Sequence, residues 1–237
     1  MAREPHIAKP SIRLWGAIRI WAGLFMTFAA ISAAAFAYRV WLLAQVPPDE
    51  WMTEMSYLSD YVAGAEAELW TTAAAGLLYF IAYVVSAILI LMWFLRSVRN
   101  ARVLSNGVET SPAWVVWWFI IPLVSLWKPY SMASELWRSS ENPDRWKGAR
   151  DPALLRWWWG LVLLSAFVIS ASSISSRAAN TAGHILISDS IMVAGYLIQI
   201  IAGLLFLRVG GPISRRQTRL IEEGRVAPRG SGPGWAD

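Results

Sequence analysis

The sequence contains no cysteine and only two histidines. Disulfides, thiolate metal sites, cysteine nucleophiles and a histidine-based metal or haem cluster are therefore excluded, and the candidate metal ligands number none. Of the histidines, His6 sits in a polar leader and His184 stands alone. Charge is scarce too, at 16 % of residues, and unevenly placed. From Val40 to Trp70 there is no base at all, against six acids: Asp49, Glu50, Glu54, Asp60, Glu66 and Glu68. The bases elsewhere are dispersed and form no nucleic-acid motif. An internal repeat is missing, and so is any recognised catalytic motif or cofactor-binding signature.

Apolar length fills the space. Hydrophobic residues make up 56 % of the 237, sixteen of them tryptophan, and the mean hydropathy is +0.42. That composition predicts an all-α, lipid-embedded chain, with no room for a second folded domain. The first apolar run, about Leu14 to Leu43, is bracketed by Trp15 and Trp41, which as helix stand roughly 39 Å apart, enough for a bilayer and its interfaces. Ala35-Phe36-Ala37 resembles a signal-peptide cleavage box, but the run is longer than an ordinary signal core. A second run, about Leu69 to Leu95, has Trp70 and Trp93 as its interfacial pair and ends in Arg96, Arg99 and Arg102. Asp151-Pro152, read as a capping acid with proline at the first helical position, opens a run through Trp157-Trp158-Trp159 to about Ser176. The last run, about His184 to Arg208, meets Gly210-Gly211-Pro212, a combination that predicts a helix stop.

The segment Ala113 to Trp127 sets the topology. As helix it measures roughly 21 Å against a hydrocarbon core of about 30 Å, too short to cross, and Pro122 interrupts it. It is predicted to be a half-helix capped at Ser111-Pro112. It dips into the inner leaflet or lies along it, breaks near Pro122 to Ser125 and returns into a helix over about Pro129 to Ser140, where Glu135 and Arg138 are spaced to pair. Four spans with both termini cytoplasmic then place 19 of 21 lysines and arginines on one side, all but Arg39 and Arg177, as the positive-inside rule requires. The resulting order is a leader (1–13), a membrane domain (14–209, spans about 14–43, 69–95, 153–176 and 184–208, hairpin 112–140) and a basic cytoplasmic tail (210–237). In that tail Ser214 to Glu223 forms a short surface helix, and the run beyond Gly224 is disordered. The acidic outer loop, Pro47 to Glu68, has room for one short helix.

The stretches FLRSVRNARVLSNG and SPAWVVWWFIIPLVSLWKPYSMASELWRSS, followed by WWWG, resemble the bacterial domain-of-unknown-function family numbered 4328. The similarity covers roughly Leu77 to Phe206 and is carried by Arg96, Arg99, Asn100, Trp118, Pro122, Pro129, Tyr130, Glu135, Leu136 and Trp137. What it implies is a multi-pass membrane protein with an Arg-Asn link and a proline-containing aromatic segment. It implies no chemistry.

Nine of the sixteen tryptophans lie between Trp114 and Trp159, among basic residues, which suits a headgroup-level platform or an aromatic belt. The expected role is non-enzymatic binding of anionic membrane lipid, with a protein partner or a second copy of the chain as the other occupant, and without cofactor or nucleic acid. Arg96, Arg99, Asn100, Arg102, Trp118, Pro122, Lys128, Pro129, Tyr130, Glu135, Trp137 and Arg138 are the candidate binding residues. Two further classes stay open: a membrane enzyme acting on a lipid headgroup with Glu135 as acid or base, and a small transport component. Within the spans Arg39 and Asp189 fall at similar depth and are predicted to pair, with Gln199 as the other deep polar group. Ala29, Ala33 and Ala37, and likewise Ala166, Ser170, Ser173 and Arg177, make small-residue stripes suited to helix packing.

Overall fold

Long uninterrupted apolar stretches become helices because only a helix satisfies every backbone donor and acceptor within one segment of lipid-embedded chain. In the computed structural model, which describes residues 7–53 and 58–225, the chain is all-α. Its helices are α1 (Ile12–Leu43), α2 (Glu68–Leu104), α3 (Trp117–Ile120), α4 (Lys128–Glu141), α5 (Ala153–Arg177) and α6 (Ala182–Glu222), with 3₁₀ turns at Leu58–Asp60, Pro112–Trp114, Val124–Leu126 and Trp146–Gly148. The four long helices α1, α2, α5 and α6 are each long and apolar enough to cross a membrane. Leu24, Ile31, Leu77, Phe80, Ile88, Phe167, Ile174, Ile191 and Ile201 point outward from them. So much exposed apolar surface is foreign to a soluble monomer and suits acyl chains. This is the architecture of a multi-pass membrane protein.

The chain divides into two compact units: unit 1 is Met1–Ile20, Ser86–Trp159 and Leu205–Asp237, and unit 2 is Trp21–Val85 and Gly160–Leu204. Each long helix contributes one part to each unit. Of the 21 bases, 17 lie in the described part of unit 1 and two, Arg39 and Arg177, in unit 2; Arg3 and Arg229 fall outside the described residues.

Unit 1 is built on an aromatic cluster. Trp93, fully buried, has ring centroids 5.5 Å from Trp15, 4.8 Å from Phe94 and 5.7 Å from Phe206. Its indole N–H donates to Ser214 Oγ at 2.8 Å. α2 outlasts its apolar run because Ser97, Val98, Ala101 and Leu104 continue a buried face, while Arg99 and Arg102 are exposed and Arg96 half-buried.

The stop predicted at Gly210-Gly211-Pro212 is corrected: α6 passes straight through Pro212 to Glu222. Proline removes one ladder donor, but the helix beyond it still buries Ile213, Ser214, Gln217 and Thr218. Gln217 also donates to Ser97 O at 3.0 Å, so tertiary packing outweighs the local signal. Gly210 has a packing role instead, since a Cβ there would stand 2.3 Å from the Trp15 ring. Ser214 to Glu223 is therefore no separate surface helix, and the predicted disordered run from Val226 onward lies outside the described residues.

Asn100, also fully buried, grips the leader by its main chain. Lys9 N–H donates to Asn100 Oδ1 at 3.0 Å, and Asn100 Nδ2 donates to Lys9 O at 2.9 Å. Asn100→Ala removes both bonds, each of which is worth about 1 kcal/mol. The Lys9 amide is expected to exchange with deuterium about tenfold faster in this variant, while amides in the middle of α2 keep their wild-type rates. An unchanged Lys9 rate would show the leader to be held by something else.

In unit 2, Ala29 and Ala33 of α1 pack against Tyr196, and Ala37 is exposed. On α5 the stripe read from spacing faces outward: Ala166 and Ser170 are exposed and Ser173 only half-buried, whereas Ser165, Ser172 and Ser176 are buried. Helical spacing defines a stripe but not which one turns inward. Hydroxyls decide it here, since Ser172 donates to Ser188 O at 2.6 Å and Ser188 to Ser175 Oγ at 3.0 Å. Tyr79 donates to Gln199 Oε1 at 2.7 Å, which satisfies that deep amide oxygen. The acidic loop packs Met52, Leu58 and Val62 against Leu42, Leu43 and Ile185, with Leu58–Asp60 as its short helical turn.

Arg39 Nε lies 3.4 Å from Asp189 Oδ2 and 3.6 Å from Glu68 Oε1, with all three side chains largely withdrawn from solvent. Thr72 donates to the same Glu68 oxygen at 3.1 Å.

Candidate functional site

Pro112 and Pro122 interrupt the ladder between α2 and α4, while Pro129 is accommodated in the first turn of α4. In place of the expected half-helix the chain makes a 3₁₀ turn, the single α-turn of α3, and a second 3₁₀ turn at Val124–Leu126. Ile121, ahead of Pro122, takes extended dihedrals (φ −74°, ψ 115°), the conformation favoured before proline. The backbone freed by the breaks finds partners nearby: Ser125 Oγ donates to Pro122 O at 2.7 Å and Trp159 Nε1 to Leu126 O at 2.7 Å. Val115 and Phe119 turn inward, Phe119 with its centroid 5.5 Å from Phe94. Trp114, Trp117, Ile120, Leu123, Leu126 and Trp127 remain exposed.

α4 returns from this segment and carries the polar groups. Glu135, 6 % exposed, accepts from Glu109 N at 2.6 Å and from Thr110 N at 3.1 Å, and Thr110 Oγ1 also donates to it. Both of its oxygens are thus engaged by the loop that follows α2. The pairing of Glu135 with Arg138 predicted from their spacing is corrected, because Arg138 Nε instead sits 3.3 Å from Asp151 Oδ1. Asp151 also accepts from Ser134 at 2.7 Å and from Tyr130 at 3.2 Å. Its carboxylate holds α4 rather than capping α5. Partial burial, then the Asp151 carboxylate, pushes the Tyr130 phenol above its ordinary range.

These elements line a half-open polar cavity of about 510 Å³ formed by Glu109, Thr110, Trp118, Lys128, Ser131, Glu135, Arg138, Trp146 and Lys147. Two indoles hold its three cations. Lys128 Nζ lies 5.0 Å from the Trp118 ring, while Arg138 and Lys147 stand 5.6 and 5.7 Å from Trp146. Trp146 is itself pinned by its N–H to Asn106 O at 2.8 Å. Gly107, at φ +67°, turns the chain where a side chain would press on Lys147 at 3.3 Å.

Of the residues expected from sequence, Trp118, Lys128, Glu135 and Arg138 meet in this cavity. The others lie apart from its lining. Arg96, Arg99 and Arg102 stay on α2, Asn100 holds the leader, Pro122 is exposed and Pro129 is buried in the first turn of α4. Trp137 stacks under Arg216 at 4.7 Å, which also pairs with Glu141 at 2.8 Å. Sequence reasoning missed Glu109, Thr110, Ser131, Trp146 and Lys147; only the Trp146-Lys147 dipeptide, a cation next to an aromatic, gave a signal. Among the described residues no group of three or more histidine, acidic or cysteine side chains is placed to hold a metal ion.

No curated protein and no solved structure matches the chain. The family profile described as Domain of unknown function (DUF4328) matches residues 59–213, a span that includes the whole cavity lining. Since that span is well over half of the 237 residues, the chain belongs to the DUF4328 family.

Proposed function

We propose that the chain binds anionic lipid, without chemistry, at the cytoplasmic face of a bacterial inner membrane, with both termini cytoplasmic. The observation that carries this is a juxtaposition within unit 1. An exposed aromatic and aliphatic segment, Trp114 to Trp127, runs directly into a cavity whose cations are held over tryptophan faces. Apolar side chains at headgroup depth seat a segment in the interface, and cations beside them suit phosphate. The 17 bases in the described part of unit 1 favour the cytoplasmic leaflet for it. Glu135 as a general acid or base is the weaker reading, because both its oxygens accept from the Glu109–Thr110 loop and so brace it, which accounts for the buried carboxylate without chemistry.

The test uses the natural absence of cysteine. A single cysteine in place of the exposed Asp144 is expected to resist a membrane-impermeant maleimide in intact cells and to react once the inner membrane is opened. Labelling from the periplasm would sink the assigned topology. The purified chain is expected to retain anionic over zwitterionic lipid, with graded losses in Trp117→Ala, Trp127→Ala and Lys128→Gln. Retention of a protein with no lipid preference would replace lipid by a protein partner.

A further inference from the structure

The cavity's charges are almost all matched, and the exception specifies a ligand. Lys147 pairs with Glu109 at 3.6 Å, Arg138 pairs with Asp151 at 3.3 Å, and the Glu135 carboxylate is met by two backbone N–H groups and a hydroxyl. Among the described residues Lys128 has no carboxylate partner, only the face of Trp118 at 5.0 Å. The six charges named sum to zero, because neutral donors meet Glu135, so a phosphate is drawn not by a surplus charge but by Lys128, the cation of the lining that has no acid against it. Resting on the lipid-binding reading above, we propose that the cavity is a headgroup site for a monoanionic phosphodiester, with Lys128 as the cation that contacts the phosphate.

A phosphomonoester carries close to two negative charges at neutral pH. Its second charge would face Glu109 and Glu135 with no further unmatched cation, so the site disfavours it. The remaining polar groups suit hydroxyls, with Ser131 exposed on the lining and Glu109 exposed at its rim. A glycerol-type phosphodiester headgroup meets all of these conditions. Its acyl chains would lie along the exposed residues of the segment leading to Lys128, such as Leu123 and Trp127.

The test is displacement of a fluorescent phosphatidylglycerol from the full-length chain in phosphatidylcholine nanodiscs. Unlabelled phosphatidylglycerol is expected to displace it more effectively than phosphatidate, and the soluble phosphodiester glycerophosphoglycerol to fail. Lys128→Gln is expected to weaken binding about tenfold, whereas Lys128→Arg and Arg102→Gln bind as the wild type does. Ser131→Trp, at an exposed position, fills the cavity without touching the core and is expected to abolish binding even if Lys128→Gln does not fold. Equal losses in Lys128→Gln and Arg102→Gln, or stronger displacement by phosphatidate, would overturn the headgroup site while leaving general anionic-lipid binding in place. Displacement by soluble glycerophosphoglycerol would reassign the site to a free phosphodiester. A wild-type chain that shows no preference for phosphatidylglycerol over phosphatidylcholine would remove both this site and the lipid reading beneath it.

Discussion

Trp93→Ala is expected to destabilise the protein by about 3–5 kcal/mol, which lowers its thermal midpoint in detergent by roughly 10 °C. The indole is wholly buried among Trp15, Phe94 and Phe206, and those neighbours sit on helices that cannot collapse far into the space it leaves. Its N–H to Ser214 Oγ also ties α2 to the stretch of α6 beyond Pro212, so the loss combines cavity formation with an orphaned buried hydroxyl. Trp157→Ala is the matched control. That ring is 67 % exposed, and its loss is expected to change stability by no more than about 0.5 kcal/mol. A thermal midpoint that falls equally in both variants would mean that tryptophan count, rather than the Trp93 cluster, sets stability.

The same cluster explains what could and could not be read beforehand. Bilayer-length apolar runs are legible because length and composition alone define them, so the four long helices are visible with starts close to those observed. Ends are less so, because an apolar run measures the membrane and not the helix. α2 continues past Leu95 on a buried face of Val98, Ala101 and Leu104, and α6 continues past Pro212 because Ile213, Ser214 and Gln217 have somewhere to pack. Gly210 shows the ambiguity in a single residue. It reads as helix punctuation in the sequence, and in the fold it makes room for Trp15, a residue far away in the chain.

The candidate site was half legible for a similar reason. Trp118, Lys128, Glu135 and Arg138 stand out by type within an unusual aromatic segment. Their partners are not local: Glu135 reaches back to Glu109 and Thr110, and Arg138 reaches forward to Asp151. The spacing of Glu135 and Arg138 suggested a helical pair worth a few tenths of a kcal/mol. Each side chain took a better partner from another segment, and those choices leave Lys128, among the described residues of the cavity lining, as the cation without an acid.

Arg39→Met is expected to cost about 3–5 kcal/mol, the scale for breaking a buried ion pair by removing one member. Glu68 and Asp189 would be left facing each other across a site that is nearly inaccessible to water, without the guanidinium that now lies 3.6 and 3.4 Å from them. The expected readout is a loss of monodisperse protein on size exclusion in mild detergent and a lower thermal midpoint. Removing the two carboxylate charges as well, in the triple variant Arg39→Met, Glu68→Gln, Asp189→Asn, is expected to recover most of that loss, because a neutral cluster has no uncompensated charge to bury. Glu68→Gln alone is expected to be milder than Arg39→Met, since the Arg39–Asp189 pair survives it and Thr72 still has an amide oxygen to donate to. The triple variant separates two causes of damage. Recovery assigns the loss to unpaired charge, whereas a triple variant as unstable as Arg39→Met would assign it to the packing of the Arg39 side chain and remove the ion cluster from the account of why these helices stay together.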